Sequence, residues 1–363
     1  MRFKLKDTKE TNELLTLIGS KDKNKSYEAQ VALGAFLGPV AQKVINQAGT
    51  SNILYTTETY NIDDSPSIAL DTFYNESENY ITIWSQPIAG GLATNQTAGV
   101  TEVKVSEYKI DSAFSCLKKW ARRSRLDVVS KSISKMLNEV LIKQEVNAWS
   151  VAMRAVAEAS TNSLEHVIDA TTDNIFQIDD LNRLMTRNRR INTAFNAGTP
   201  DGLDSRGVTD LFVSPEIMEQ VRAFAYQPMN TRGVPNSDES TAVPLPDAIR
   251  ERIFNGAGTS EIYGITLHEV LEFGDTGRWN RLFDNYYSGS VTMAHGTDQV
   301  LLAADLSREG LIRLLAKDGD TGSTFDLQVD DQFLARSEKF GSYGSLMEGR
   351  ICVDPRPYTA LVV

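Results

Sequence analysis

The stretch ITIWSQPIAGGLATNQTAGVTEVKVSEYKI (residues 81–110), followed after the link DSAFSCLKKWARR by SRLDVVSKSISKMLNEVLIKQEVNAWSVAMRAVAEA (residues 124–159), decides how this chain is read. In the first piece two strand-like runs, Tyr80–Gln86 and Val100–Ile110, flank the uncharged connection PIAGGLATNQTAG. Val103 and Val105 alternate with Glu102, Lys104 and Ser106, the period of two expected of a ribbon with one wet face. The pattern predicts a long β-hairpin whose Gly-rich tip holds Pro87, Ile88, Ala89, Gly90, Gly91, Leu92 and Asn95. A two-stranded ribbon is marginal in water by itself and its open edges invite pairing, so something outside the ribbon must cover it.

The second piece carries the strongest helix signal, from about Leu126 to Ala159. Val129, Ile133, Leu137, Val140 and Leu141 recur at three- and four-residue spacing, with Lys131, Lys135, Glu139, Lys143 and Glu145 around them, the mark of an amphipathic helix. More than thirty residues without Gly or Pro give a rod of roughly 45 to 50 Å at about 1.5 Å per residue.

Toward the N-terminus, residues 1 to about 25 are polar and charged (KDTKETNE, then SKDKNKS) and predict an arm that orders only when a neighbour holds it. A helix follows with Ser26 as its N-cap and Val31, Leu33, Leu37, Val40, Val44 and Ile45 on it; Gly49 ends it and Pro39 should kink or interrupt it. Ser51–Tyr74 reads as short strands. Toward the C-terminus, Ile178–Arg190 reads as a helix, Thr209–Val213 as a strand, and Pro215–Ala225 as a helix capped by Ser214. After a loop from Gln227 to Pro246, the runs Gly264–Glu272, Asn280–Tyr287, Val300–Ala303 and Leu311–Leu315 read as strands, and Phe325–Val363 as strand broken by FGSYGS. No repeat of 20 to 50 residues is visible, which removes solenoids and propellers.

Composition bounds the function classes. With 363 residues, 41% hydrophobic and 23% charged, the chain can bury a substantial core. No segment approaches the roughly 18 apolar residues of a membrane helix, and no signal h-region is evident; a cytoplasmic setting without membrane contact is expected. Cys116 and Cys352 sit in no CxxC or Cys/His cluster, so neither a disulfide framework nor a zinc site is indicated. A net charge of −11 argues against nucleic-acid binding over the whole surface, which rests on clustered cations, yet suits the wall of a DNA container.

No catalytic constellation emerges. His166, His268 and His295 are far apart and lack i, i+4 metal partners, so they read as structural. His268 and Glu269, adjacent in a strand, should face opposite ways. Asp318, Asp320, Asp326, Asp330 and Asp331 lack EF-hand spacing and read as a turn between strands. GAGTSEIYG and FGSYGS carry neither GK[ST] nor GxGxxG ahead of a helix, and GxSxG is absent. No cofactor or metal site is expected. Two basic clusters remain: Lys118, Lys119, Arg122, Arg123 and Arg125 before the long helix, and Arg187, Arg189 and Arg190 at the end of another. They read either as solvated faces, the second suiting a helix C-terminus, or as surfaces that meet acidic patches on neighbouring subunits.

The order of arm, helix, Gly-tipped hairpin, very long helix, mixed α/β region and terminal β segment resembles the major capsid protein of tailed bacteriophages, the Hong Kong ninety-seven capsid fold shared with encapsulins. The resemblance is carried by residues 81–110 as the extended hairpin called the E-loop and residues 124–159 as the spine helix. TDLFVSPEIMEQVRAF resembles a strand and capped helix of the axial domain, and EGRICVDPRPYTALVV the strands that return to the peripheral domain. It implies an α+β fold divided into an N-terminal arm (1–25), helix and strands (26–75), E-loop (76–110), peripheral domain with spine helix (111–160), axial domain (161–320) and return strands (321–363). It implies a non-enzymatic subunit that self-assembles through hexamers and pentamers into an icosahedral shell. That shell would enclose double-stranded DNA without sequence-specific binding, assemble in a bacterial cytoplasm and end in the virion.

The E-loop tip and basic clusters would then make inter-subunit contacts. The N-terminal scaffolding segment that many members of the family carry has no counterpart in the roughly 25 residues before the first helix, so any scaffolding is expected to be a separate protein, with a portal and decoration proteins as further partners. An encapsulin-like compartment shell is the alternative within the fold; an α/β enzyme or binding protein is the alternative outside it.

Overall fold

The computed structural model describes residues 8–47, 49–69, 102–123, 126–161, 164–195, 207–223, 261–294, 296–319, 322–329 and 338–363. The chain forms two compact units. The first combines Met1–Ile68, Lys104–Ala148 and Ile312–Ile351, and the second Ala69–Val103, Trp149–Leu311 and Cys352–Val363.

In the first unit, helices α1 (Lys9–Ile18) and α2 (Lys23–Gln47) pack on a five-stranded sheet. Its strands are β1 (Thr56–Asn61), β12 (Leu311–Lys317), β14 (Lys339–Cys352), β13 (Asp326–Val329) and β4 (Glu107–Leu117). β1 runs parallel to β12, whereas β13 and β4 run antiparallel to β14. The core gathers Leu15 and Ile18 of α1, Leu33, Leu37, Ala41 and Ile45 of α2, and Val129, Ile133, Leu137 and Val140 of the long helix.

Four expectations change here. Part of the predicted arm is helical: Thr8 and Thr11 form a reciprocal capping box, and Leu15 and Ile18 are buried, so this stretch is held by its own chain. Because α2 begins at Lys23, Ser26 is not its cap; it lies inside the helix, buried, and donates to the Ile18 carbonyl at 2.7 Å. Pro39 does not end α2, because the buried Leu37, Ala41 and Ile45 hold the following turns and offset the lost backbone bond. FGSYGS does not break its strand, since β14 runs through it and a side chain at Gly344 would occupy the space of the Phe325 ring.

The predicted ribbon also differs. Its first strand and its tip lie outside the described residues. The second strand divides into β3 (Glu102–Lys104) and β4, and β4 pairs along its whole length with β14, from Glu107↔Gly349 to Leu117↔Lys339. That part of the hairpin is therefore already covered within the chain.

The second unit is built on a six-stranded mixed sheet ordered β7 (Val167–Asp169), β15 (Tyr358–Val362), β11 (Val300–Ala304), β8 (Asp210–Val213), β10 (Ile265–Glu269) and β9 (Glu261–Ile262). Every residue of β11 and β15 is buried, as expected of central strands covered on both faces. Helices α5 (Ile178–Phe195), α6 (Pro215–Ala223) and α7 (Arg278–Tyr286) accompany it. Ser214 caps α6 as predicted, accepting from the Ile217 amide at 3.2 Å.

Residues 280–287 were expected as a strand and form most of α7 instead, because Trp279 and Phe283 recur four apart and are both buried. The β9–β10 turn places Tyr263 and Gly264 at positive φ, 52° and 80°, the left-handed pair a two-residue hairpin demands. Helix α3 (Lys118–Arg122) precedes α4 (Leu126–Ala157), which matches the predicted long helix. The boundary between units falls inside α4, after Ala148. On the far side of it, Trp149 packs edge-on against Phe212 and Phe273 and stacks on Trp279.

Candidate assembly surfaces

The first basic cluster is organised by α3. Lys118 is buried, its amide donating to the Glu338 carbonyl at 2.8 Å, while Lys119, Arg122 and Arg123 are exposed. Burial pushes the Lys118 ammonium below its ordinary pKa, helped by the cations Arg122 and Lys23 and opposed by Glu338. Arg122 donates from Nε to the Gly19 carbonyl at 2.7 Å. Arg125 and the E-loop tip (Pro87, Ile88, Ala89, Gly90, Gly91, Leu92 and Asn95) lie outside the described residues.

The second cluster belongs to the second unit and does not sit at a helix end, because α5 continues to Phe195. The helix-terminus explanation for it therefore falls away. Arg187 is half-buried; Arg189 and Arg190 are exposed. The charge of Arg187 is felt by Glu165, whose carboxyl is held below its usual range chiefly by the Ser290 hydroxyl, against the effect of burial.

The histidines have distinct roles. His166 is fully buried with Nδ1 3.0 Å from the Tyr358 carbonyl oxygen, and burial lowers its pKa. His268 Nε2 lies 2.7 Å from Asp210 Oδ1. Burial alone would raise the pKa of Asp210, but hydrogen bonds from His268 and Thr209 outweigh it and hold the carboxyl low. The sequence could not reveal this pair, because it forms across parallel strands where Phe212, not Asp210, is the register partner of His268. His295 lies outside the described residues.

A polar cluster that the sequence also concealed lies inside the first unit. Glu348 is fully buried, 3.0 Å from Arg313 and 3.4 Å from Arg350, both themselves buried. Tyr108 donates to Glu348 Oε1 at 2.6 Å and Gln144 to Oε2 at 3.3 Å. The Arg350 guanidinium lies 4.8 Å from the centroid of the Tyr55 ring, within range of cation–π attraction. The side chains come from several elements of one core and bond to one another, the arrangement of a structural network. Among the described residues, no group of His, Cys, Asp or Glu is placed to hold a metal ion, and no helix is long and apolar enough to cross a membrane. Burial raises the Cys352 thiol to about 12, far from the range of a reactive thiolate.

No family model matches this chain, and no curated protein matches it in sequence. Among solved structures, it is similar to the capsid of a native GTA particle, at 9% identity over 87% of this chain and 90% of that one, with a TM-score of 0.51. It is also similar to the capsid of the cyanophage P-SCSP1u (14% identity, 85% of each chain, TM-score 0.45). The SrpI encapsulin of Synechococcus elongatus PCC 7942 is a further likeness (10% identity, 72% of this chain and 75% of that one, TM-score 0.38). The first of these establishes the fold, and the other two, with lower TM-scores, add nothing to that assignment. The chain has an α+β fold, that of the GTA particle capsid.

Proposed function

We propose that this chain is the shell subunit of a tailed-phage-type particle, self-assembling through hexamers and pentamers into an icosahedral container for double-stranded DNA, and that it performs no chemistry. The observation that carries this reading is the likeness to the GTA particle capsid, which extends over 87% of this chain and 90% of that one. The polar groups inside the described residues serve packing: Glu348 is shared by Arg313 and Arg350, and Glu145 by Thr50 and Ser51.

On this reading the E-loop tip and the exposed basic residues are inter-subunit surfaces. The first unit corresponds to a peripheral domain and the second to an axial domain, whose copies surround the five-fold and six-fold axes; residues 352–363, expected among the peripheral return strands, belong instead to the second unit, where β15 pairs with β7 and β11. Such rings arise when a heterologous interface closes by rotation. A separate scaffolding protein, a portal and decoration proteins are the partners such a shell would take in the host cytoplasm. The test is electron microscopy and sedimentation of the purified chain, alone and with a co-expressed scaffold. Shells, tubes or rings of five and six subunits are expected; a compact monomer under every condition would end the proposal.

A further inference from the structure

The first unit joins two cationic stretches that are distant in the chain. Lys21, Lys23 and Lys25, at the entry to α2, are exposed, as are Lys119, Arg122 and Arg123 in and just after α3. The Arg122–Gly19 hydrogen bond ties α3 to the α1–α2 turn, and the charges of Lys23 and Arg122 both reach Lys118. The result is one surface with six exposed cations. Two carboxylates lie nearby, Asp22, which accepts from the Asn24 amide at 3.2 Å, and the exposed Glu338, whose charge reaches Lys118, so the cations outnumber the anions.

A surface of opposite sign lies in the second unit. Asp169, at the end of β7, and Asp173, in the turn after it, are exposed, and Asp298 is half-exposed. They crowd one another: burial first, then the charges of Asp173 and Asp298, raise the Asp169 carboxyl above its ordinary pKa. Beside them stands Ile175, 50% exposed.

The whole chain is partitioned in the same sense. Its 48 acidic and 37 basic residues divide into 20 and 23 in the first unit and 28 and 14 in the second, net +3 against −14. Every lysine belongs to the first unit; the cations of the second are all arginine. Several of those arginines are committed locally, Arg183 to Asp180, Arg222 to Glu269 and Arg356 to Asp354.

In an isolated chain each surface repels itself, and closing one on the other relieves both at once. We propose that the Lys21–Lys25 and Lys119–Arg123 surface of one copy docks on the Asp169–Asp173 surface of a second copy. The contact is head-to-tail, because the two patches are different surfaces, and repetition of such a contact generates rings. This inference rests on the shell reading above and names a contact within it. A second copy is favoured over DNA as the partner because the chain as a whole carries −11, which opposes approach of a polyanion.

The test uses three variants of the full chain: Lys119→Glu with Arg123→Glu, Asp169→Lys with Asp173→Lys, and all four together. None of these side chains enters the cores described above, so circular dichroism and the thermal midpoint of the unassembled chain should match the parent. Each pair alone should lower the yield of rings and shells by about tenfold or more, from like-charge juxtaposition. The fourfold variant, which restores opposite signs, should recover it. Normal assembly of both pairs, or failure of a folded fourfold variant to recover, would overturn the contact while leaving the shell reading standing. So would loss of duplex-DNA binding by the Lys119/Arg123 variant with assembly unchanged, since that would assign the patch to DNA. A parent chain that never assembles would remove the shell reading, and this contact with it.

Discussion

The six-stranded sheet of the second unit is filled by aliphatic side chains, with Leu301, Ala303 and Leu361 fully buried, whereas the first unit's sheet holds Glu348 between Arg313 and Arg350 in a buried position. The two are vulnerable in different ways. An aliphatic core loses stability in proportion to the volume removed. A buried ionic cluster contributes little net stability while complete, yet loses much when one partner goes, because the remaining charges stay desolvated. The first unit's sheet should therefore be brittle toward single charge-neutralising changes that hardly alter shape, and the aliphatic sheet of the second should tolerate shape-conserving changes but not truncation.

The sharpest way to break this comparison is Glu348→Gln. It keeps the volume and leaves two guanidinium groups without an anion, and we expect a loss of about 3 to 5 kcal/mol in urea unfolding. A loss of a few tenths would show that the cluster is effectively solvated and that the contrast is false. Next comes Leu301→Ala in the second unit, expected to cost about 2 to 5 kcal/mol as a cavity opens in the sheet. Leu301→Met should cost well under that, since near-isosteric swaps cost under about 1.5 kcal/mol.

A more gradual effect follows from His166. Its folded-state pKa lies below the unfolded value of 6.5, so the unfolded chain binds the proton more readily. The stability this gives is fully present above that value, declines as pH falls through it, and levels off below the folded pKa. Thermal midpoints measured from about pH 7.5 to pH 5 should fall more steeply in the parent than in His166→Gln, and parallel slopes would remove His166 as the cause. The smallest expected effect has the opposite sign. Tyr263 is half-exposed at positive φ, a conformation costing an ordinary residue roughly 1 to 2 kcal/mol, so Tyr263→Asn should raise stability by up to about 1 kcal/mol. No gain on calorimetry would mean that the tyrosine ring makes compensating contacts.

The same contrast explains what could be read beforehand. Helix α4, the Ser214 cap and the strands β8, β11 and β15 follow from local periodicity and apolar content, because an amphipathic stripe, a capping residue and an all-apolar strand are each written in consecutive residues. Helix α1 is not legible in the sequence, because Leu15 and Ile18 become core residues only against α2 and α3, and the capping pair Thr8 and Thr11 looks like ordinary polar sequence. Aromatic content made α7 look like a strand, although Trp279 and Phe283 already stood at helical spacing. The Glu348 cluster could not be read at all, since Tyr108, Gln144, Arg313 and Arg350 reach it from separate elements. Of the candidate surfaces, the Lys118–Arg123 run was legible as a charge cluster. Its union with Lys21, Lys23 and Lys25 needed the fold.

The partition of lysines has a practical side in protein chemistry. Lys143 and Lys317 bound a span without a single primary amine, so a lysine-specific protease leaves residues 144–317 as one peptide, and amine-reactive reagents cannot mark the second unit directly. Amine modification, footprinted with and without assembly, thus reports on the first unit alone, and any protection it registers can be assigned to that unit without further mapping.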